Sequence, residues 1–330
     1  MHKIWFEWTY GPEYDGLIGE DVERLTATSG TGDAYQNIEA AEAVIAGGLP
    51  YDESMMRRAP DLLVIARTGI GFDKVDLEQA TRHGIAVVNT PDGPTMSTAE
   101  MALTLLMGVA KNLPAIREDM RRNLIDDVPR PPYRAIELAG TQLGLVGLGR
   151  IGSHVARVAL AMGMKVQAHD PFLPSEHMQE LGVTRVDSLE TLLATSDVVS
   201  LHLPLNENTR HIMNAERFSQ MKDDAIFINV SRGGHVDEAA LLAALDSGRL
   251  FGVGLDVCDP EPPMPDNPLL IHERVILTPH IAGSTPRAGY KMLTMAVAQV
   301  RQVFAGERPS YLLNPDVWPK VVQRLEACQP

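Results

Sequence analysis

Three side chains in the second half of the sequence have the types and placing to act on a carboxylic acid. Arg232 follows the apolar run Ala225–Val230, Glu261 follows Phe251–Val257 by way of Asp259-Pro260, and His280 follows Val275–Leu277. Each run reads as a buried strand. In an open parallel sheet ligands bind at the carboxyl ends of the strands, so three such loops can converge on one site. An arginine binds a carboxylate bidentately and polarises an adjacent carbonyl, while a histidine exchanges a proton near neutral pH. A glutamate bonded to that imidazole orients it and raises its pKa, keeping the acid form available for carbonyl reduction. Singly, each residue has an ordinary reading: a surface arginine, a solvated loop acid, a capping or core histidine. Their joint placing is what points to chemistry.

The element that must organise this sheet is Thr141–Asp170. Leu143–Val146 reads as a strand, and Gly147, Gly149 and Gly152 give G-x-G-x-x-G where that strand turns into a helix over 153–162. Gly147 permits the tight turn, Gly149 lets backbone approach a pyrophosphate, and Gly152 lets the helix pack on the strand. The helix N-terminus supplies N–H groups to the phosphates. Gly163 ends the helix, and a second strand, Lys165–His169, leads to Asp170, 18 residues past Gly152. A carboxylate there accepts hydrogen bonds from the adenosine ribose and repels a 2′-phosphate. Pro171-Phe172 follow in place of an arginine. NAD is therefore favoured over NADP.

The chain has 330 residues, 45% hydrophobic and 22% charged, with no apolar run long enough to span a membrane. Single cores stop growing at about 250–300 residues, so two domains are expected. The acidic start, MHKIWFEWTYGPEYDG, is not read as a secretory signal. Cys258 and Cys328 form no ligand or redox spacing, which fits a reducing cytoplasm. A net charge of −14 argues against nucleic acid or an anionic membrane as partner. No H-E-x-x-H or Cys/His cluster suggests a metal.

Residues 1–96 repeat a βα rhythm: strand Ile4–Trp8, a helical stretch near 16–28, strand Ala43–Ala46, helix near 53–58, strand Leu62–Ala66, helix near 75–82, strand Ile85–Val88. This indicates a parallel sheet covered by helices. Its most suggestive loop is Arg67-Thr-Gly-Ile-Gly71, where backbone N–H groups can receive an anion. Ser97 and Glu100 form a capping box, with Met96 and Met101 as a staple, opening a long buried helix to Ala110. The proline-rich stretch Asp126–Tyr133 reads as a connector. Helices Asn214–Met221 and Asp237–Leu245, strand Val198–Leu203, a helix capped by Asp187 and Glu190, and a helix begun by Thr285-Pro286 complete the second half, with at least six strands from 143 onward.

The sequence resembles the D-isomer-specific 2-hydroxyacid dehydrogenase family. The resemblance rests on Gly147-Leu-Gly-Arg-Ile-Gly152, Asn229-Val-Ser-Arg-Gly-Gly234, Gly254-Leu-Asp-Val-Cys-Asp-Pro-Glu261 and Thr278-Pro-His-Ile-Ala-Gly283, and extends to Arg67–Asp76 and Ser97–Glu100. It implies two doubly wound parallel-sheet α/β domains: a flavodoxin-like substrate domain of residues 1–98 and 288–330, and a Rossmann NAD-binding domain of residues 99–287 joined by hinge helices near 97–120 and 285–305. It further implies that Arg232 holds the substrate carboxylate, that His280 is the acid/base and that Glu261 is its partner. Thr68 and Gly69, beside Arg67, would offer backbone N–H groups to the carboxylate. Asp256 would meet the nicotinamide carboxamide, and Arg150, Ile151, Thr209 and Val230 match cofactor-lining positions. Family members are commonly homodimers.

One departure stands out: Pro91-Asp-Gly-Pro-Thr95 carries Pro94 where many relatives have asparagine, which puts any contact of that side chain in doubt. The run after Asn314–Pro319 leaves no room for the regulatory domain of some phosphoglycerate dehydrogenases. The expected reaction is hydride transfer between NAD(H) and a small 2-keto or D-2-hydroxy acid, with hydroxypyruvate, glyoxylate and phosphoglycerate-like substrates leading. Formate- or phosphite-type dehydrogenases share the architecture, and an NADH-sensing corepressor would carry the same three residues.

Overall fold

A computed structural model describes residues 1–27, 32–121 and 134–327. Apolar runs too short for helices become strands buried along their length: Ala43–Ala46 and Ala225–Asn229 are buried at every position. Such strands need cover on both faces, which alternating helices supply. Every pair of named strands is parallel. The chain forms two compact units, Met1–Pro94 with Gly283–Pro330, and Thr95–Ala282.

The first unit begins β1 His2–Phe6, α1 Asp15–Ile18, β2 Val22–Thr26, β3 Ala43–Ala46, α2 Glu53–Arg58, β4 Val64–Arg67, α3 Leu77–Arg82 and β5 Ala86–Val88. Its strand order is β2-β1-β3-β4-β5. The chain runs outward from β1 to β2 and then returns to β3, so the winding reverses between the carboxyl ends of β1 and β3. Asp52 and Asp76 cap α2 and α3, accepting from the Met55 and Gln79 N–H groups. The expected helix near 16–28 is not formed: α1 covers four residues, and Val22–Thr26 is a strand paired along its length with β1. Val-Glu-Arg-Leu-Thr carries branched residues at both ends, and ladder pairing outweighs its weak helical preference.

The second unit contains α4 Thr95–Ala110, α5 Leu113–Arg121, β6 Gln142–Val146, α6 Arg150–Ala161, β7 Lys165–His169, α7 Ser175–Glu180, β8 Thr184–Arg185, α8 Leu189–Thr195, β9 Val198–Leu201, α9 Ala215–Gln220, β10 Ala225–Asn229, α10 Glu238–Asp246, β11 Leu250–Leu255 and β12 Val275–Leu277. The order β12-β11-β10-β9-β6-β7-β8 reverses between β6 and β9. One face is packed by α4 and α6 through Leu103, Leu106, Val155 and Ala159. The other is covered by α8, α9 and α10 through Leu192, Phe218 and Leu241. Ser97 lies inside α4 instead of capping it, because its hydroxyl donates to the Ala282 carbonyl. β9 stops at Leu201, two residues earlier than the apolar run, ahead of Pro204. The connector Asp126–Tyr133 and Cys328 lie outside the described residues.

The chain returns to the first unit with α11 Pro286–Phe304 and α12 Trp318–Ala327. Thr285 caps α11, accepting from Ala288 N–H, and Pro286 occupies the first turn. Its face Leu293, Ala296, Val297 and Val300 packs with Ile4, Ile45 and Val64. No helix among the described residues is long and apolar enough to cross a membrane.

Candidate active site

β6 delivers the glycine fingerprint to the point where the seven-stranded sheet reverses. Gly147 has φ +90°, and a Cβ there would lie 2.5 Å from the His202 carbonyl oxygen, so only glycine fits without strain. Gly152 faces the Gly147 carbonyl, 2.6 Å from where a Cβ would be, which lets α6 start directly against the turn. Gly149, the N-cap of α6, has open space at its Cβ position. The Ile151 and Gly152 N–H groups in the first turn of α6 have no carbonyl partners within the helix, while Ser153 N–H donates to the Gly149 carbonyl at 2.9 Å. Asp170, just past β7, accepts from Leu148 N–H and Phe172 N–H, both at 3.0 Å. It clamps the turn while each oxygen keeps a lone pair for a ribose hydroxyl. Val230 is buried at the end of β10. Thr209 uses its hydroxyl in the 204–209 turn, donating to the Pro204 carbonyl at 2.8 Å. The turn geometry, helix start and acid fit a dinucleotide.

The loops after β10, β11 and β12 bring Arg232, Glu261 and His280 together. A Cβ on Gly233 would lie 1.9 Å from the Cys258 carbonyl oxygen, so the Arg232 loop packs directly on the Glu261 loop. Glu238, at the start of α10, steadies that second loop by accepting from Asp259 N–H at 2.9 Å and Asn267 Nδ2 at 2.8 Å. His280 Nδ1–H donates to Glu261 Oε2 at 2.9 Å, and the His280 side chain is 44% exposed. Burial works to raise the Glu261 carboxyl pKa. The bond to His280 and its charge, with help from Arg232, outweigh burial and hold it below the usual range. Arg232 Nη1 also donates to the Ser231 carbonyl at 2.7 Å.

His280 occupies left-handed backbone, φ +53°. Such a conformation persists in a non-glycine residue only where its surroundings enforce it. Asp256 does so: its carbonyl accepts from His280 N–H at 2.7 Å. Its fully buried carboxylate accepts from Thr278 Oγ1 at 2.6 Å, Ile281 N–H at 2.9 Å and Ala282 N–H at 2.8 Å. Asp256 thereby shapes the histidine loop.

In the first unit, the loop after β4 is arranged differently from its sequence reading. Thr68 N–H donates to the Ala46 carbonyl at 2.9 Å. Gly69 N–H donates to Thr90 Oγ1 at 2.8 Å. Both are satisfied within the chain. Arg67 Nε holds the Gly71 carbonyl at 3.1 Å, and Asn89 Nδ2 holds the Ile70 carbonyl at 2.7 Å. With those carbonyls held, the Ile70 and Gly71 N–H groups have no partner among the described residues. They are the open donors of this loop. Two residues of offset separate them from Thr68 and Gly69, an offset set by strand pairing that spacing alone does not reveal.

Residues 103–282 match the family model described as the D-isomer specific 2-hydroxyacid dehydrogenase NAD-binding domain. The chain belongs to this family. Residues 103–282 are its NAD-binding domain. The chain is 39% identical to D-3-phosphoglycerate dehydrogenase of Methanocaldococcus jannaschii over 84% of its length and 52% of that protein's. It spans about half the length of the curated relatives it matches first. With a glyoxylate reductase of Korarchaeum cryptofilum it shares 39% identity over 81% of each chain. A D-lactate dehydrogenase from Aquifex aeolicus, complexed with NAD and lactic acid, superposes with a TM-score of 0.85 at 29% identity, covering 95% of this chain and 99% of that one.

Proposed function

We propose that the chain is an NADH-dependent reductase of small 2-keto acids, and in the reverse direction a dehydrogenase of D-2-hydroxy acids. The observation that carries this reading is the His280–Glu261 pair with Arg232 beside it, on the sheet whose glycine turn fits a dinucleotide. When bound, the nicotinamide supplies a hydride to the keto carbon. His280 gives a proton to the carbonyl oxygen, and Glu261, kept ionised, fixes the imidazole with Nδ1–H toward itself. Arg232 binds the carboxylate and stabilises the charge developing on the oxygen. Within the first unit, the Ile70 and Gly71 N–H groups, on a loop shaped by Arg67, suit a carboxylate. Asp256 and Thr278 hold His280 in place. Relatives named D-3-phosphoglycerate dehydrogenase, glyoxylate reductase and hydroxypyruvate reductase support glyoxylate, hydroxypyruvate and 3-phosphoglycerate-like acids as candidates.

NADH oxidation across a panel of 2-keto acids, with NADPH in parallel, tests this. Turnover of a short 2-keto acid with NADH, and much slower turnover with NADPH, is expected because Asp170 repels a 2′-phosphate. NADH binding without turnover of any member would contradict the reading.

A further inference from the structure

The first unit has its own point of reversal, between the carboxyl ends of β1 and β3, and the chain fills it with a side chain. Glu7 is the residue after β1 and Gly47 the residue after β3. The Glu7 carboxylate accepts from the N–H groups of Gly47 and Gly48, from Leu49 N–H at 2.9 Å and from the Tyr51 hydroxyl at 2.9 Å. Crevices at such points are where doubly wound sheets take ligands, and converging N–H groups suit phosphate. Here an internal carboxylate takes those donors.

The surrounding groups close the same edge. Lys74 Nζ donates to the Gly48 carbonyl at 2.9 Å, and Arg67 Nη1 to the Ala46 carbonyl at 3.4 Å. Both cations are aimed at backbone beside Glu7. The Trp8 ring lies over Gly47, where a Cβ would approach it to 2.1 Å. The loop after β4 lies between β3, on the Glu7 side, and β5, beyond which Asn89 and Thr90 are bonded to Ile70 and Gly69.

We propose that Glu7, with Trp8 over Gly47, excludes phosphorylated acids, so that the substrate's side group is short and uncharged: hydrogen or hydroxymethyl. This rests on the 2-keto acid reading above and narrows it. A phosphate monoester carries roughly −1.5 to −2 charge at neutral pH. Next to Glu7 it meets a like charge and finds the N–H donors taken. A hydroxymethyl group brings no charge to set against the carboxylate.

The test is equilibrium binding of D-glycerate and of 3-phospho-D-glycerate to the NADH complex of the full chain, which requires no turnover. D-glycerate is expected to bind at least about tenfold more tightly, and Glu7→Gln to narrow the ratio by about tenfold. Glu7→Asp, which keeps the charge, should preserve the preference, whereas a merely structural role would weaken both acids together. Tighter binding of the phosphorylated acid to the wild type, or an unchanged ratio in Glu7→Gln, overturns the proposal and leaves the reductase reading intact. Absence of keto-acid turnover with the binding preference intact defeats only the reductase reading. Binding of neither acid overturns both.

Discussion

The two parallel sheets wind by the same rule and treat their points of reversal in opposite ways. At the end of β6 the chain places glycines, an open Cβ position at Gly149 and a helix start, so backbone N–H groups remain for a ligand. At the ends of β1 and β3 it also places glycines, Gly47 and Gly48, but Glu7 takes their N–H groups. Topology makes both places possible ligand sites; one carboxylate decides which remains open. The fold therefore constrains where chemistry can occur, and the side chains decide whether it does.

The comparison can be broken at either end. The largest effect is expected from Gly147→Ala, which forces φ +90° on an alanine and drives its Cβ against the His202 carbonyl. Strain of about 1–3 kcal/mol plus that clash should weaken NADH binding by roughly 100-fold, measured by titration. Affinity within about twofold of wild type would show that the open turn does not seat the cofactor. Next comes Glu7→Gln at the filled reversal, with its expected tenfold change in selectivity between the two glycerates.

The smallest effect concerns His202, just past β9 at the open reversal. Burial lowers its pKa to about 4, its Nδ1 has no partner among the described residues, and Nε2 meets Ser200 Oγ at 2.9 Å. The folded value lies below the unfolded one near 6.5, so the unfolded chain binds more protons in between. The neutral ring's contribution is full above about pH 6.5 and is lost as pH falls toward 4, by up to ~1.4 kcal/mol per unit. Denaturant unfolding at pH 7 and pH 5 should show a larger loss in wild type than in His202→Asn. Equal losses would remove His202 from the pH dependence.

What the sequence disclosed follows from the range of the interactions involved. The fingerprint is local: its turn, helix start and acid fall within 30 residues, and spacing determines their geometry. Arg232, Glu261 and His280 are far apart in sequence but each follows a strand, so topology alone gathers them. The Glu7 bonds span 40 or more positions and depend on which strands become neighbours. No spacing rule contains that information. The same reason hid β2, which gains its structure from pairing with β1, and Ser97, whose hydroxyl is drawn to Ala282 across 185 positions. Asp256 was visible as a residue, while its three donors on the histidine loop became visible only when β11 and β12 were adjacent.

The most direct measurement is the fate of deuterium from NADH carrying deuterium at both C4 positions during reduction of hydroxypyruvate, comparing wild type with His280→Ala. Wild type should yield D-glycerate labelled at C2. The variant should still bind NADH but turn over at least about 10²–10⁴-fold more slowly, the usual contribution of a positioned acid. Unlabelled product, or equal rates from the two proteins, would contradict direct hydride transfer with His280 as the proton donor.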